Sequence, residues 1–198
     1  MKSTKTDVFD KPSAILPRRE NVCIKRNIMK ENKNITAKGG APLTLLGDMV
    51  TVGMTAPDFT AYDNNMKEVR LSDFKGKNVV ISVFPSIDTP VCASQTRTFN
   101  KKAASFGDDT VVLSISKDLP FALGRFCAAA GIDRNYTLSD YRPGGFALKY
   151  GFLIKEMELL SRGVIIVDKN GKIAYVEYLD DITKEPDYDK ALAALKKL

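Results

Sequence analysis

Apolar positions along the 198 residues fall into short runs whose period changes from segment to segment, and those changes mark the elements. Residues 1–33 carry two prolines, Pro12 and Pro17, few large apolar side chains and no sustained period, which predicts a disordered basic extension. From residue 34 onward the pattern predicts one domain reaching residue 198. It opens with two extended runs about Gly39-Gly40, within Ile35 to Gly47, the signature of a hairpin. Pro57 to Tyr62 reads as a short strand, with Asn64-Asn65 as the turn after it. The largely apolar run Val79 to Phe84 predicts the central strand. Residues 93–106 fit a helix, with Phe99, Ala103 and Phe106 on one face at i, i+4 and i+7.

Val111 to Ser116 is the next strand. A second helix is announced by Asp118 as its cap, Pro120 in its first turn and Gly131 past its end, with Leu123, Phe126, Cys127 and Ala130 inward. Val164–Asp168 and Lys172–Val176, joined through Lys169-Asn170-Gly171, predict a hairpin. Residues 187–197 predict a closing amphipathic helix with Tyr188, Leu192 and Leu195 inward. The order predicts an α/β domain: a mixed central sheet flanked by helices, with an N-terminal β-hairpin. Such a sheet carries its working residues at the carboxyl ends of its strands.

Composition narrows the chemistry. No apolar stretch approaches the roughly 18 residues that span a bilayer, and the N-terminus lacks the apolar segment of a secretory signal, so the expected location is the cytoplasm. Met29-Lys30-Glu31-Asn32-Lys33 looks like an ordinary start, so the 28 residues before it are expected to be upstream sequence or a dispensable tail. The formal charge of +6 invites a nucleic-acid partner. Yet residues 1–33 hold nine basic against four acidic residues, a net of +5 that leaves only +1 for the rest, and neither interleaved aromatics nor a reading motif accompanies them. Neither nucleic acid nor membrane is expected as a partner.

The three cysteines, Cys23, Cys92 and Cys127, are too few for a disulfide-rich secreted scaffold. With no histidine and no C-x-x-C, neither a Cys/His metal site nor a Cys-His hydrolase can be built, and no cofactor is expected. Cys92 closes the run Pro85-Ser86-Ile87-Asp88-Thr89-Pro90-Val91-Cys92 directly behind the central strand, which puts a thiol in the first turn of a helix. Helix N-termini and nearby cations favour the thiolate, the nucleophilic form. Pro85 ends the strand without leaving an unpaired donor, Thr89 can cap the helix and reach the sulfur, and Pro90 suits the first helical position. The plainer alternative makes Cys92 and Cys127 small apolar residues in a core.

The octet P-x-x-x-T-x-x-C behind V-V-I-S-V-F resembles the active-site motif of the peroxiredoxins. Its continuation Ala93-Ser94-Gln95-Thr96-Arg97-Thr98-Phe99-Asn100 is similar to the thiol peroxidase subgroup, the atypical two-cysteine class. Lys117 to Cys127, Leu138 to Arg142 and Leu160 to Ile165 extend the likeness over residues 34–198. The resemblance implies a thioredoxin-like fold. It also implies that Cys92 attacks hydrogen peroxide or an organic hydroperoxide and becomes a sulfenic acid, with Thr89 orienting thiolate and peroxide and Arg162 stabilising the thiolate and the transition state. Cys127 would then close an intramolecular disulfide, recycled by thioredoxin in a homodimer. Spacing alone does not select Arg162 over Arg125 or Arg142.

If each thiol sits in its own helix, both helices must partly unwind to pair, and Gly124 would ease the second. Cys23, outside the likeness, is expected to be a bystander. A C-x-x-C oxidoreductase is disfavoured, since Ala93, Ser94 and Gln95 follow Cys92. A peroxide-sensing switch that signals to a partner through the same sulfenic acid remains the alternative, and turnover separates it from a peroxidase.

Overall fold

The computed structural model describes residues 30–143 and 145–198. Most of the N-terminal extension, with Cys23 and the expected start at Met29, lies outside them. The first strand, β1 (Glu31–Thr36), begins three residues ahead of the predicted domain boundary, and Glu31 and Asn32 already pair in a sheet. It pairs antiparallel with β2 (Pro42–Leu46) across a short 3-10 turn at Lys38–Gly40, which is the predicted hairpin. Gly39 and Gly40 both have φ of +80°, a region that favours glycine.

Next come β3 (Thr60–Tyr62) and β4 (Glu68–Arg70), paired about the Asn64-Asn65 turn; Pro57–Phe59 stay outside the strand. The core strand β5 (Asn78–Val83) leads into α1 (Pro90–Ala103), then β6 (Thr110–Ser116), α2 (Pro120–Ala130) and β7 (Tyr136–Ser139). A single helical turn, α3 (Phe146–Lys149), and the two-residue β8 (Leu153–Ile154) precede the hairpin β9 (Gly163–Val167) and β10 (Ile173–Tyr178), and α4 (Tyr188–Leu195) closes the chain. Seven strands form one mixed sheet in the order β10-β9-β5-β6-β7-β3-β4, with β5, β6 and β7 parallel and β9 antiparallel to β5. The pair β1-β2 gains β8 as a third strand of a separate sheet.

Strand alternation divides the core. Val79, Ile81 and Val83 of β5 join Leu113, Ile115, Ile165 and the aromatic group Phe59, Phe146, Tyr150 and Phe152 on one face. On the other, Val80, Val112, Val164 and Ile166 meet Phe99 of α1 with Ala191 and Leu195 of α4. Burial of each such Ile or Phe contributes about 1.5–3 kcal/mol. Ala191, not Leu192, takes the fully buried position of α4; Leu192 is half-buried. Among the described residues no helix is long and apolar enough to cross a membrane.

Candidate active site

Every residue of β5 is buried. The chain therefore emerges from the middle of the core at Phe84, turns at the buried Pro85 and starts α1 at Pro90, so that Cys92 is its third residue. The β5–β9 register decides what meets it. Val83 pairs with Gly163, so the residue before β9 lies beside the point where β5 ends, and that residue is Arg162. Gly163 is needed for this approach: a Cβ there would overlap the Glu177 carbonyl oxygen and lie 2.8 Å from the Phe152 ring.

Cys92 is 0% exposed and Arg162 2% exposed. The guanidinium donates to the Cys92 Sγ at 3.1 Å, to Gln95 Oε1 at 2.5 Å and to the Ile182 carbonyl at 2.8 Å. Among the described residues no carboxylate forms an ion pair with it. A buried cation is costly unless its charge is met, and of its three hydrogen-bond acceptors only the sulfur can become an anion; the Asp181 carboxylate acts on it from beyond hydrogen-bond contact. The guanidinium therefore aims its hydrogen bond and its positive charge at the sulfur itself.

Gln95 is a member of this site that the sequence reading missed. One turn after Cys92 and fully buried, it donates to Ser82 Oγ at 2.8 Å and to the Val83 carbonyl at 3.2 Å, which leaves its amide oxygen for Arg162. A polar residue three positions from the thiol, on the same helix face, was the available signal. Arg125 is exposed, and Arg142, also exposed, stacks over Tyr62 and Tyr141 at 4.7 Å and 5.5 Å, so of these three arginines Arg162 is the one that donates to the sulfur.

Two expectations about caps are corrected. Thr89 is the N-cap residue of α1 by backbone geometry, yet its hydroxyl makes no capping bond and donates instead to the Ser86 carbonyl at 3.1 Å. At α2 the N-cap is Leu119, not Asp118. The Asp118 carboxylate is drawn away by donors far along the chain, the Ser86 hydroxyl and the Ile87 amide, each at 2.7 Å. Gly131 ends α2 as predicted, with φ of 63°.

Cys127 lies within α2 and is buried; its Sγ is 3.1 Å from Thr137 Oγ1 on β7, which in turn donates to Asn64 Oδ1 at 3.3 Å. Both thiols are free. The two helices nevertheless meet at Cys92, because Leu123 and Phe126 of α2 pack with Phe84 and Ile87 around the Cys92 side chain. The structure thus brings Cys92, Arg162 and Gln95 into contact, keeps Thr89 and Pro85 in the approach loop, and places Cys127 on the neighbouring helix with a different polar partner. A cavity of about 460 Å³ is lined by Val79 and Val167, at the opposite end of β5 from Cys92.

Comparison with known proteins bears on the family and the fold. The sequence profile of the redoxin family matches residues 51–192. Thiol peroxidases of Oceanobacillus iheyensis and Bacillus subtilis are 53% and 52% identical to the chain over 164 residues, 83% of it and 99% and 97% of those proteins. Among solved structures, a peroxiredoxin-like protein from Aquifex aeolicus superimposes with a TM-score of 0.78 at 36% identity, covering 84% of this chain and 98% of that one. A thiol peroxidase from Chromobacterium violaceum, at 22% identity and a TM-score of 0.73 over 82% of this chain and 95% of its own, bears on the fold alone. The fold is the thioredoxin-like α/β arrangement that the sequence predicts.

Proposed function

The chain belongs to the redoxin family as a peroxiredoxin of the thiol peroxidase type, a peroxidase enzyme, and from that premise we propose that Cys92 reduces hydrogen peroxide and organic hydroperoxides and that Cys127 resolves the oxidised product. The observation that carries this reading is the buried Arg162 guanidinium, which donates to the Cys92 sulfur and forms no ion pair with a carboxylate among the described residues. In the first step the Cys92 thiolate attacks the terminal oxygen of the hydroperoxide. The S–O bond forms as the O–O bond breaks, and the departing alkoxide or hydroxide takes up a proton to leave as alcohol or water.

Arg162 holds the sulfur as the nucleophile and meets charge developing on the peroxide oxygens. The amide groups of Val91 and Cys92 precede the first intrahelical bond of α1, from Ala93 N to the Thr89 carbonyl, and face the same charge. Thr89, fixed to Ser86, orients thiolate and peroxide at the rim, and Pro85 sets the direction in which the loop leaves β5. Cys127 then attacks the sulfenic acid sulfur, expelling water and closing a Cys92–Cys127 disulfide, for which α1 and α2 must open locally.

A dithiol protein, thioredoxin, is the reductant proposed to reopen that bond. A homodimer, a cytoplasmic location and a catalytic domain that begins at β1 complete the reading. The test is turnover: with thioredoxin and its reductase the protein should consume many equivalents of cumene hydroperoxide, and one equivalent added to reduced protein should give the Cys92–Cys127 linkage by peptide mass mapping. Consumption that stops at one equivalent despite an active reducing system would leave a sensor, not a peroxidase.

A further inference from the structure

Resting on the proposed Cys92–Cys127 pairing, we propose that Asp118 is a positioning residue whose carboxylate clasps the loop before Cys92 to the root of the Cys127 helix in the dithiol form and releases that loop when the disulfide closes.

Asp118 lies two residues past the end of β6 and one residue before the N-cap of α2. Its carboxylate takes the Ser86 hydroxyl on Oδ1 and both the Ile87 amide and the Ser116 hydroxyl on Oδ2, each at 2.7 Å. Its carbonyl accepts from Ser139 on β7. Ser116 and Ser139 are paired neighbours at the carboxyl ends of parallel strands, so this end of the clasp is anchored in the sheet. Hydrogen bonds to an ionised acceptor are stronger than neutral ones and need an oxygen where the loop presents its donors. Only a carboxylate at residue 118 offers two such oxygens here.

The other end is attached to what must move. The Ser86 carbonyl receives both the Thr89 amide, at 3.2 Å, and the Thr89 hydroxyl, at 3.1 Å. Thr89 in turn accepts the first intrahelical bond of α1, from Ala93 at 3.0 Å, and Cys92 lies within that turn. Ile87, whose amide the carboxylate holds, packs directly in the apolar group around Cys92. The chain of contacts from Asp118 through Ser86 and Thr89 therefore ends on the turn that carries the nucleophile. In the resolving step the Cys127 sulfur bonds to the Cys92 sulfur, the S–O bond of the sulfenic acid breaks, and hydroxyl and thiol proton leave as water. That step displaces the first turn of α1 towards α2, and the Ser86–Ile87 loop cannot follow while both ends of the clasp are closed.

The consequence is thermodynamic as well as kinetic. A contact made in the dithiol form and lost in the disulfide form favours the dithiol, so its removal shifts the couple towards disulfide. We expect Asp118→Ala to lower the midpoint potential of the Cys92–Cys127 couple by about 30 mV, a tenfold change of equilibrium constant for two electrons. Asp118→Asn, which keeps one acceptor oxygen, and Ser86→Ala should fall between Asp118→Ala and the unsubstituted protein. In a Cys127→Ser background, which isolates the first step, Asp118→Ala should slow dimedone-detected sulfenic acid formation by about tenfold. Leu43→Ala, in the separate β1-β2 core, controls for general destabilisation and should leave the potential unchanged.

The measurement is a redox titration of full-length protein against defined dithiol/disulfide buffers, with the linkage read by alkylation and mass. Potentials ordered as described support the clasp. A Cys92–Cys127 bond that forms normally, with the same potential in Asp118→Ala, Asp118→Asn and Ser86→Ala, overturns the clasp alone. An unsubstituted protein that never forms the bond overturns the resolving role of Cys127 and the clasp with it.

Discussion

Arg162 donates from three of its nitrogens to three acceptors on two segments: the Gln95 amide oxygen and the Cys92 sulfur, both on α1, and the carbonyl of Ile182. That fork geometry is not available to lysine, whose compact ammonium would reach one acceptor at a time. Arg162→Gln is expected to slow peroxide reduction by about 10²–10³-fold, the usual loss for one preorganised charge-stabilising donor, and Arg162→Lys to recover only part of it. Thr89 divides differently, because its hydroxyl adds a second bond to the Ser86 carbonyl beside that of its amide. Thr89→Ser should therefore keep most of the rate and Thr89→Val lose roughly tenfold or more, within the range found for positioning and proton-handling groups. Equal rates for Ser and Val would remove the hydroxyl from the account.

Two elements control whether these side chains meet. Because Gly163 has no room for a Cβ, Gly163→Ala should push β9 from β10 or from Phe152 and carry Arg162 off the sulfur, lowering the rate of Cys92 oxidation more than it lowers the melting temperature of the reduced protein. A proportionate loss of both would contradict this. Helices α1 and α2 each hold one cysteine inside a hydrogen-bonded turn, and oxidation should raise amide exchange in residues 90–103 and 120–130 above that of β5 and β9. Unchanged protection on oxidation would mean that the pairing needs no opening. The Cys92 segment was legible in sequence because all its parts are consecutive: a buried strand, Pro85, Thr89, Pro90 and the thiol. Arg162 was legible only through family likeness, since its partner lies 70 residues away and is set by strand register. Asp118 was misread as a cap for the same reason, its better donors being the distant Ser86 and Ile87. The one-turn α3 left no periodic trace; its first amides are taken by Asp140, at 2.7 Å and 3.0 Å.

For the whole molecule, Asp140 sets a pH signature. Burial pushes its carboxyl up from the ordinary value, against the opposing pull of the Phe146 and Ala147 amides and of Lys117. A carboxyl raised in the folded state binds a proton there more readily than in the unfolded chain. Its contribution to stability is therefore full below the unfolded value near ~3.9 and is lost as pH rises through the raised native value. The urea midpoint of the unsubstituted protein should gain more, or lose less, than that of Asp140→Asn as the pH is lowered towards that window; identical pH slopes would refute the assignment. The longer strands and helices, the mixed sheet and the hairpins were readable from periodicity, whereas the short β4, β7 and β8 were not, nor the pairing of the two-residue β8 with β2. What unites the scales is a sulfur delivered to a buried cation by the end of one strand and the start of another. Stopped-flow oxidation of fully reduced protein by cumene hydroperoxide tests it most directly: the unsubstituted protein and Cys127→Ser should react quickly, Arg162→Gln slowly and Cys92→Ser not at all, whereas a Cys92→Ser protein that reacts as fast as the unsubstituted one would contradict the account.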